Sequence, residues 1–303
     1  MIATFHAPLE WIQWAAATGP DRARFLHAMV SNSVLGVDAG EGNYAVLLTA
    51  KGKMVADLHL LVTEEEILLG LPPQVRGRAL EMLDRYVVAD DVAFELRPFR
   101  TRTVVGGDPE ALFPDLPEGD HRHRTIEVGG QRVRAARLSW SRQPSVELLV
   151  PPEAEEAVCA GLEASGIAAG DAEAVERLRI ESGTPRWGAE LDENTIPLEA
   201  GLEHALDRLK GCYIGQETIV RVLTRGHVNW HIRGLRIEGD TPPPRGTEVL
   251  DGEGTVRGEI RSAVASPTFG VIALARLRRE VADAGSELWV SGHRAVVVEG
   301  PFS

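Results

Sequence analysis

Residues 179–236 read RIESGTPRWGAELDENTIPLEAGLEHALDRLKGCYIGQETIVRVLTRGHVNWHIRGLR, and this stretch concentrates the residues with distinctive chemistry. Within it, Cys212 lies in a glycine-flanked turn just before a run whose apolar spacing predicts a helix. The positive end of that helix and the ammonium of Lys210 would both favour a thiolate, which predicts a reactive cysteine. The alternative is a small buried hydrophobe, the usual state of a free cysteine.

Glu199 follows Pro197 and Leu198 and precedes two small residues. A carboxylate held on such a rigid turn can accept two parallel N–H bonds from a planar ring, for example the edge of a pterin. Trp187, upstream of it, would stack on the same ring. The alternatives are a solvated glutamate at a helix start and a tryptophan used only for packing.

Basic residues accumulate at the end of the same stretch, although the chain as a whole is acidic. Arg221 and Arg225 are four positions apart and share one face of the predicted helix, which predicts a site for an anionic ligand tail or a phosphate. The alternative is a solvated face that pairs with the surplus acids. His227 and His231 have no nearby cysteine or acid, so we predict no metal site.

Asp57 is the remaining candidate. Residues 54–62 alternate as a strand that follows a Lys-Gly-Lys turn, and Val55, Asp57, His59 and Leu61 share one face. An acid between apolar neighbours predicts a partly buried carboxylate with a raised pKa. An exposed face is the alternative.

Composition limits the class of protein. The chain has 303 residues, 45 of them acidic and 32 basic, for a formal net charge of −13 with 44% hydrophobic residues. This favours a folded protein with no direct nucleic-acid partner. Two cysteines cannot form a disulfide framework, and neither a secretory signal nor an 18-residue apolar run is present, so we expect a soluble, cytoplasmic protein without a membrane partner.

Several catalytic motifs are missing from the sequence. It contains no GxGxxG, no P-loop, no GxSxG, no HExxH and no CxxC. Dinucleotide enzymes, P-loop NTPases, serine hydrolases and zinc hydrolases therefore have no support.

The order of predicted elements indicates three domains. A β-rich stretch followed by helix occurs twice, and the third region has short strands separated by turn residues. We predict an N-terminal α+β domain at residues 1–108, a second α+β domain carrying KGCYIGQE at 109–230, and a small β-barrel at 231–303.

The eight residues Lys210-Gly-Cys-Tyr-Ile-Gly-Gln-Glu217 resemble the signature of the YgfZ-type folate-binding proteins. These are relatives of the glycine-cleavage aminomethyltransferase, or T-protein. The resemblance extends to Pro197-Leu-Glu-Ala-Gly-Leu202 and, more weakly, over nearly the whole chain. It implies an aminomethyltransferase-like α+β fold, with two α+β domains and the barrel around a central cavity that admits tetrahydrofolate.

The resemblance also implies roles for individual residues. The family's cysteine and lysine fall on Cys212 and Lys210, its pterin-binding glutamate on Glu199, and its hairpin carboxylate on Asp57. The implied function is a tetrahydrofolate-binding accessory role in iron–sulfur cluster assembly or repair, including clients that modify tRNA. Its partners would be a folate derivative and iron–sulfur proteins or their assembly factors.

Two departures keep other functions open. T-proteins commonly carry two adjacent acids at the hairpin, whereas this chain has Ala56-Asp57, and Ser31-Asn32-Ser33 stands where relatives often have Thr-Asp-like residues. The alternative function is a tetrahydrofolate-dependent aminomethyltransferase or methyltransferase that relies on Asp57 alone. The third is a non-enzymatic interaction scaffold without folate affinity.

Overall fold

The structure, a computed structural model, describes residues 2–298, 300 and 302, with Arg225 described by its backbone alone. The chain divides into two compact units. Unit 1 comprises the residues up to Ser139 together with Gln143–Val175 and His204–Gln216. Unit 2 comprises Trp140–Arg142, Glu176–Glu203 and the chain from Glu217 onward. The division into three domains stays a prediction.

Unit 1 is built mainly from strands. Its strands are β1 (Phe5–Pro8), β2 (Gln13–Thr18), β3 (Gly42–Leu48), β4 (Met54–Val62), β5 (Ile67–Leu71), β6 (Ala93–Arg97), β7 (Arg100–Val105), β8 (His123–Val128), β9 (Gln131–Ala136), β10 (Ser145–Val150) and β11 (Ala168–Ala169). Its helices are α1 (Arg22–Met29), α2 (Arg76–Arg85), α3 (Pro109–Leu112) and α4 (Glu155–Ala164). The strand predicted at residues 54–62 is confirmed with these bounds.

The strands of unit 1 form two sheets. The first is antiparallel with the order β3-β4-β5-β2-β6, and the second has the order β11-β1-β7-β10-β9-β8 with one parallel pair, β1 and β11. All five residues of β5 are buried, which is why it reads as a continuous apolar run rather than an alternating one. Because β3 is the edge of the first sheet, the face of the β3–β4 hairpin can receive side chains from loops.

Helix α4 packs on the second sheet and supplies Val158 and Leu162 to its core. The turn between β8 and β9 approaches this helix so closely that only glycines fit. A Cβ on Gly129 would lie 2.1 Å from the carbonyl oxygen of Ala157, and one on Gly161 would lie 2.5 Å from the Cα of Gly129. This contact holds the β8–β9 hairpin against the rest of unit 1.

Helix α5 (Ala172–Glu181) runs from unit 1 into unit 2, and α6 (Gln216–Arg225) does the same later in the chain. Asp171 caps the start of α5, because its Oδ1 accepts a hydrogen bond from the Ala174 backbone N–H at 2.7 Å.

The rest of unit 2 is a closed six-stranded barrel. Its strands are β12 (Trp230–Ile237), β13 (Glu248–Leu250), β14 (Val256–Ser266), β15 (Gly270–Arg278), β16 (Glu287–Val290) and β17 (His293–Val298). They close in the order β12-β15-β14-β13-β16-β17. Leu235, Ile260 and Leu288 are among the apolar side chains that fill the interior, as expected for a barrel of this size. The predicted barrel is confirmed.

Candidate functional site

Asp57 lies on β4, and the structure gives it one polar partner. The hydroxyl of Tyr44 on the neighbouring strand β3 donates a 2.8 Å hydrogen bond to Asp57 Oδ2. Its Oδ1 is buried and has no hydrogen-bond partner among the described residues. Burial raises the pKa of Asp57, although the bond from Tyr44 opposes this. The prediction of a partly buried carboxylate with a raised pKa agrees with this geometry.

Tyr44 keeps its proton in this pair. Burial raises the pKa of Tyr44 well above its usual value, and the adjacent Asp57 raises it further. The hydroxyl is therefore a fixed donor, and Oδ1 is the carboxylate oxygen left to bind or exchange a proton. Successive residues of a strand face opposite sides, so Ala56, the residue before Asp57, faces away from it and is fully buried. The hairpin thus presents a single carboxylate on this face.

Two histidines flank Tyr44. His59 lies opposite it in the β3–β4 register, with the ring centroids 5.0 Å apart. His204 stacks on its other side at 5.5 Å, with the ring planes 14° apart. We call Tyr44, Asp57, His59 and His204 the hairpin cluster. Sequence analysis had placed His59 beside Asp57 but had not identified Tyr44 or His204, since only the register and the return of a distant segment bring them there.

A chain of hydrogen bonds orients His59. Asp120 Oδ2 lies 2.8 Å from His121 Nδ1, and His121 Nε2 lies 2.9 Å from His59 Nδ1. A carboxylate only accepts, so His121 Nδ1 donates; in the neutral tautomer its Nε2 then accepts from His59 Nδ1. This assignment leaves the Nε2 of His59 with its lone pair. His121 has φ +56°, an uncommon backbone conformation for a non-glycine residue, which fits a functional constraint.

The charges of His59 and Asp120, the two ends of this hydrogen-bonded series, follow from their surroundings. Burial is the main cause that lowers the pKa of His59 to about 3, so His59 is neutral at pH 7. Burial opposes ionisation of Asp120, but the interactions with His121 and a hydrogen bond from Ser139 together outweigh it and lower the pKa of Asp120. The arrangement is therefore an ionised carboxylate that holds two imidazoles in defined tautomers.

Lys210 has partners that the sequence did not suggest. Its ammonium donates to the carbonyl oxygens of Val30 at 2.6 Å, Asn32 at 2.8 Å and His27 at 2.5 Å. These carbonyls lie at and just beyond the C-terminal end of α1, where a cation is favourable. The three donors of the ammonium are thus satisfied by backbone carbonyls, which supports a role for Lys210 in holding this part of unit 1 together, and its predicted effect on the thiol stays a prediction. Burial lowers its pKa to about 8.

Cys212 lies two residues further along and has a different environment. Its side chain is exposed, whereas Tyr213 beside it is buried beneath the Lys210 ammonium, 5.3 Å from the ring centroid. Gly215 holds the end of the turn against the β3–β4 turn, since a Cβ there would lie 2.5 Å from the Thr49 carbonyl oxygen. The turn is fixed on both sides of a free thiol. The buried-hydrophobe alternative therefore does not describe Cys212.

Glu199, in unit 2, is on a 3₁₀ turn, Pro197–Ala200. Its Oε2 accepts a hydrogen bond from the Ile196 backbone N–H at 3.1 Å, and the residue is only 6% exposed. Its other carboxylate oxygen has no hydrogen-bond partner in the part of the chain that the structure describes. The open oxygen can accept an N–H bond from a planar ring, and the pair of parallel bonds to a pterin stays a prediction, since the other oxygen is held by Ile196.

The other residues predicted in unit 2 differ in their environments. Trp187 is 6% exposed and pairs through its backbone with Leu191, which is the packing alternative. Arg221 forms a 2.7 Å ion pair with Glu217 one helical turn earlier, and both side chains are well exposed. Such a pair is the solvated alternative. The side chain of Arg225 lies outside the described residues, so the anion site predicted with it stays a prediction.

The segment Gly188-Ala-Glu-Leu191 supplies one partner of a buried ion pair with Arg179. Arg179 is fully buried, and its guanidinium contacts Glu190 at 2.9 Å, Glu176 at 2.7 Å and Ser262 Oγ at 3.0 Å. Burial alone would lower the pKa of Arg179, but the two carboxylates outweigh it and raise the pKa. Since Ser262 is on β14, this network ties α5 and the Gly188-Ala-Glu-Leu191 segment to the barrel wall.

Two absences apply to the described residues only. Within residues 2–298, no three His, Cys, Asp or Glu side chains are grouped so that they could hold a metal ion. In the same range, no helix has the length and apolar character needed to cross a membrane.

Comparisons with known proteins agree with this architecture. The GCVT N-terminal domain matches residues 13–210, and the glycine cleavage T-protein C-terminal barrel domain matches residues 231–303. An aminomethyltransferase of Thermosynechococcus vestitus is 27% identical, with 91% of this chain and 78% of the relative covered. One of Rubrobacter xylanophilus is 28% identical, with 84% and 70% covered.

The fold has also been seen in a solved structure. The crystal structure of the glycine cleavage system aminomethyltransferase T from Bartonella henselae matches with a TM-score of 0.89 at 19% identity, and covers 99% of this chain and 86% of that one. This likeness confirms the predicted aminomethyltransferase-like α+β fold with its terminal barrel. The two family models together span most of the sequence, and the chain belongs to the glycine cleavage T-protein family.

Proposed function

We propose that this protein binds tetrahydrofolate and transfers a one-carbon unit of the aminomethyl class, with Asp57 as the acid that contacts the reacting group. The observation that carries the proposal is the half-satisfied carboxylate, with Oδ2 held by Tyr44 and Oδ1 buried without a partner among the described residues. The relatives named aminomethyltransferase support the same activity.

Two carboxylates, Asp57 in unit 1 and Glu199 in unit 2, each taken by itself, leave an oxygen open to a hydrogen-bond donor of a folate. Asp57 Oδ1 lacks a donor, and an N–H of the folate or of the transferred group would supply one. The open oxygen of Glu199 would accept from the pterin edge. Tetrahydrofolate, when bound, would supply the nitrogens that carry the one-carbon unit.

The chain's own groups then determine how a proton is handled. Tyr44 fixes one oxygen of Asp57, so a proton or an N–H contact is directed to Oδ1. The raised pKa of Asp57 brings its proton exchange nearer to neutral pH, which is the condition for an effective general acid or base. His59 stays neutral and oriented by Asp120 through His121, so it adds a lone pair without adding charge beside the carboxylate.

An aminomethyl-exchange assay with a lipoylated carrier tests the proposal. Asp57→Asn is expected to reduce the rate by about 10²- to 10⁴-fold, and to leave tetrahydrofolate binding measurable by titration. Glu199→Ala is expected to weaken that binding instead. Asp84→Asn, an exposed acid on α2, is the matched control and should change neither quantity. Wild-type rates in Asp57→Asn would contradict the assigned role.

A second function is favoured by the turn at Cys212. An exposed thiol on a turn fixed by Lys210 and Gly215 suits a YgfZ-type accessory role, in which the cysteine engages a client iron–sulfur protein or assembly factor in the cytoplasm, tRNA-modifying enzymes included. In cells that lack the protein, Cys212→Ala would fail to restore iron–sulfur enzyme activity, while Cys159→Ala would restore it. Full restoration by Cys212→Ala, together with measurable aminomethyl exchange, would reject the accessory role.

A further inference from the structure

A second polar cleft lies in unit 1, away from the hairpin cluster. It has a volume of about 670 Å³ and is bounded by the β4–β5 turn, the loop before β3, and strands β8 and β9. Its lining includes none of the four residues of the hairpin cluster, although Arg122 and His123 directly follow His121 in the chain.

Arginines dominate the lining of this cleft. Four of them contribute, against two glutamates, Glu64 and Glu65, on the exposed β4–β5 turn. Ala39 and Pro117 are the apolar residues of its wall, and His123 is the one aromatic ring among the described lining residues. On a chain with a net charge of −13, this is a local reversal of sign. The lining of the cleft therefore favours a negatively charged ligand. It offers no surface on which a planar ring would stack.

Arg134 on β9 is held in place without a counter-ion. Its guanidinium donates a 2.9 Å hydrogen bond to His123 Nδ1, and His123 Nε2 donates at 3.1 Å to the carbonyl oxygen of Glu41. His123 is 2% exposed, and burial, followed by the charge of Arg134, lowers its pKa to about 4, so it remains a neutral acceptor. No carboxylate in the described part of the chain forms an ion pair with Arg134. A partly buried cation thus keeps free donors towards the cleft.

The other arginines complete a set of guanidinium groups. Arg122 is oriented by a 2.5 Å ion pair with Glu41. Arg132 is two residues before Arg134 on β9 and shares its face, and Arg124 is exposed on β8. Neither Arg124 nor Arg132 forms an ion pair with another described residue. Arg132 and Arg134 share one face of β9, and together with Arg122 and Arg124 they line one volume, a set of planar guanidinium groups that suits an anion with many oxygens.

We propose that this arginine cleft binds a compact polyphosphate group, either free pyrophosphate or the phosphate chain of a nucleotide. The volume lies within the range of small-ligand sites. Guanidinium forks pair with phosphate oxygens two at a time, and the fixed Arg134 supplies a pre-oriented anchor. The missing apolar wall means that the phosphates, rather than an attached base, carry recognition.

Calorimetric titration of the whole chain with inorganic pyrophosphate at physiological salt tests this proposal. Saturable binding is expected, and Arg132→Gln/Arg134→Gln should weaken it by about tenfold or more for each arginine. Arg76→Gln/Arg78→Gln on α2 removes the same charge elsewhere in unit 1 and should retain wild-type binding. The assay contains no folate, so its result is independent of the proposed transfer activity.

Two further experiments distinguish free pyrophosphate from a nucleotide as the ligand, and provide a single variant in case the double variant does not fold. ADP that binds no tighter than pyrophosphate identifies the free anion as the ligand, and markedly tighter ADP binding identifies a nucleotide. If the double variant does not fold, Arg124→Gln, an exposed position, should still weaken binding severalfold. Absence of saturable pyrophosphate binding at millimolar concentrations, or equal weakening in the α2 control, overturns the proposal.

Discussion

Lys210 and Asp57 are both ionisable groups withdrawn from water in unit 1, yet their surroundings are opposite. The ammonium of Lys210 donates to three backbone carbonyls. The carboxylate of Asp57 has a partner for one oxygen and, among the described residues, none for the other. A buried polar group with all its hydrogen bonds made supports the fold, whereas one left half-satisfied costs free energy and indicates function. The lysine of the most recognisable motif thus has its hydrogen bonds made within the fold, and the less conspicuous acid is the group that keeps an oxygen open, as the proposed transfer requires.

The largest effect is expected from Lys210→Met. This change keeps most of the side-chain volume but leaves the carbonyls of His27, Val30 and Asn32 without their donor. The free energy of unfolding should fall by about 3 kcal/mol, because buried carbonyls lose their hydrogen bonds together. Urea denaturation at pH 7 measures the difference in unfolding free energy between this variant and the wild type.

Lys51→Met is the matched control, since Lys51 is exposed on the β3–β4 turn, and its unfolding free energy should match the wild type. If Lys210→Met is as stable as this control but has lost aminomethyl exchange, the structural role given to Lys210 is wrong. Lys210 would then take part in the transfer reaction.

His59 provides an intermediate case, a buried group that is satisfied by another histidine. Its pKa is lowered from 6.5 to about 3 in the folded chain, so the unfolded chain binds a proton first as the pH falls. The stability that neutral His59 contributes is complete above pH 6.5 and is lost as the pH falls towards 3. We expect a loss of about 2 kcal/mol between pH 6.5 and 4.5 that is absent in His59→Gln. His293→Gln, an exposed control, should keep the wild-type slope in urea denaturation at the two pH values.

Gly215 tests how firmly the turn at Cys212 is fixed. Its φ is +84°, and a Cβ would lie 2.5 Å from the Thr49 carbonyl oxygen. Gly215→Ala should therefore destabilise the chain by about 1.5 kcal/mol, through backbone strain and the displaced β3–β4 turn. Gly211→Ala, where the added Cβ meets nothing within 4 Å, should change stability little. Equal urea midpoints for the two variants would show that the turn is not held as the structure indicates.

Much of the fold was predictable, because its signals are local. Alternation predicted β4, and short strands between turn residues predicted the barrel. The hairpin cluster was not predictable as a whole. Asp57 was found by its place between apolar neighbours, but His204 is far from Tyr44 in the sequence, and no periodicity spans such a distance.

The long sequence separation between partners also explains why the contacts of Lys210 were not predicted. Its acceptors are backbone carbonyls about 180 positions earlier, and carbonyls leave no trace in residue type. The motif therefore led to the glycine cleavage T-protein family, which the family models show, while the YgfZ type that it resembles stays a prediction and the contacts of its lysine were not foreseen. Arg179 repeats the point, since its contact with Ser262 on the barrel joins segments 83 residues apart. Sequence patterns locate unusual residues, and the tertiary contacts decide which of them are structural.

The smallest expected effect, and the sharpest test of the comparison, is the stability of Asp57→Asn. A raised pKa means that the folded chain holds the Asp57 proton more tightly than the unfolded chain, so stability falls as the pH rises from the unfolded pKa towards the folded pKa, and the full cost of ionisation is present above the folded pKa. The asparagine variant should therefore be more stable than the wild type at pH 7, by roughly 1 kcal/mol. The difference should disappear as the pH falls below the unfolded value. Urea denaturation of both proteins across this range measures it, with Asp84→Asn as the exposed control. A variant that gains stability while it loses transfer would mark Asp57 as a group kept for chemistry at the expense of the fold. A variant that is destabilised at pH 7 would instead place Asp57 with Lys210, among the groups that hold unit 1 together.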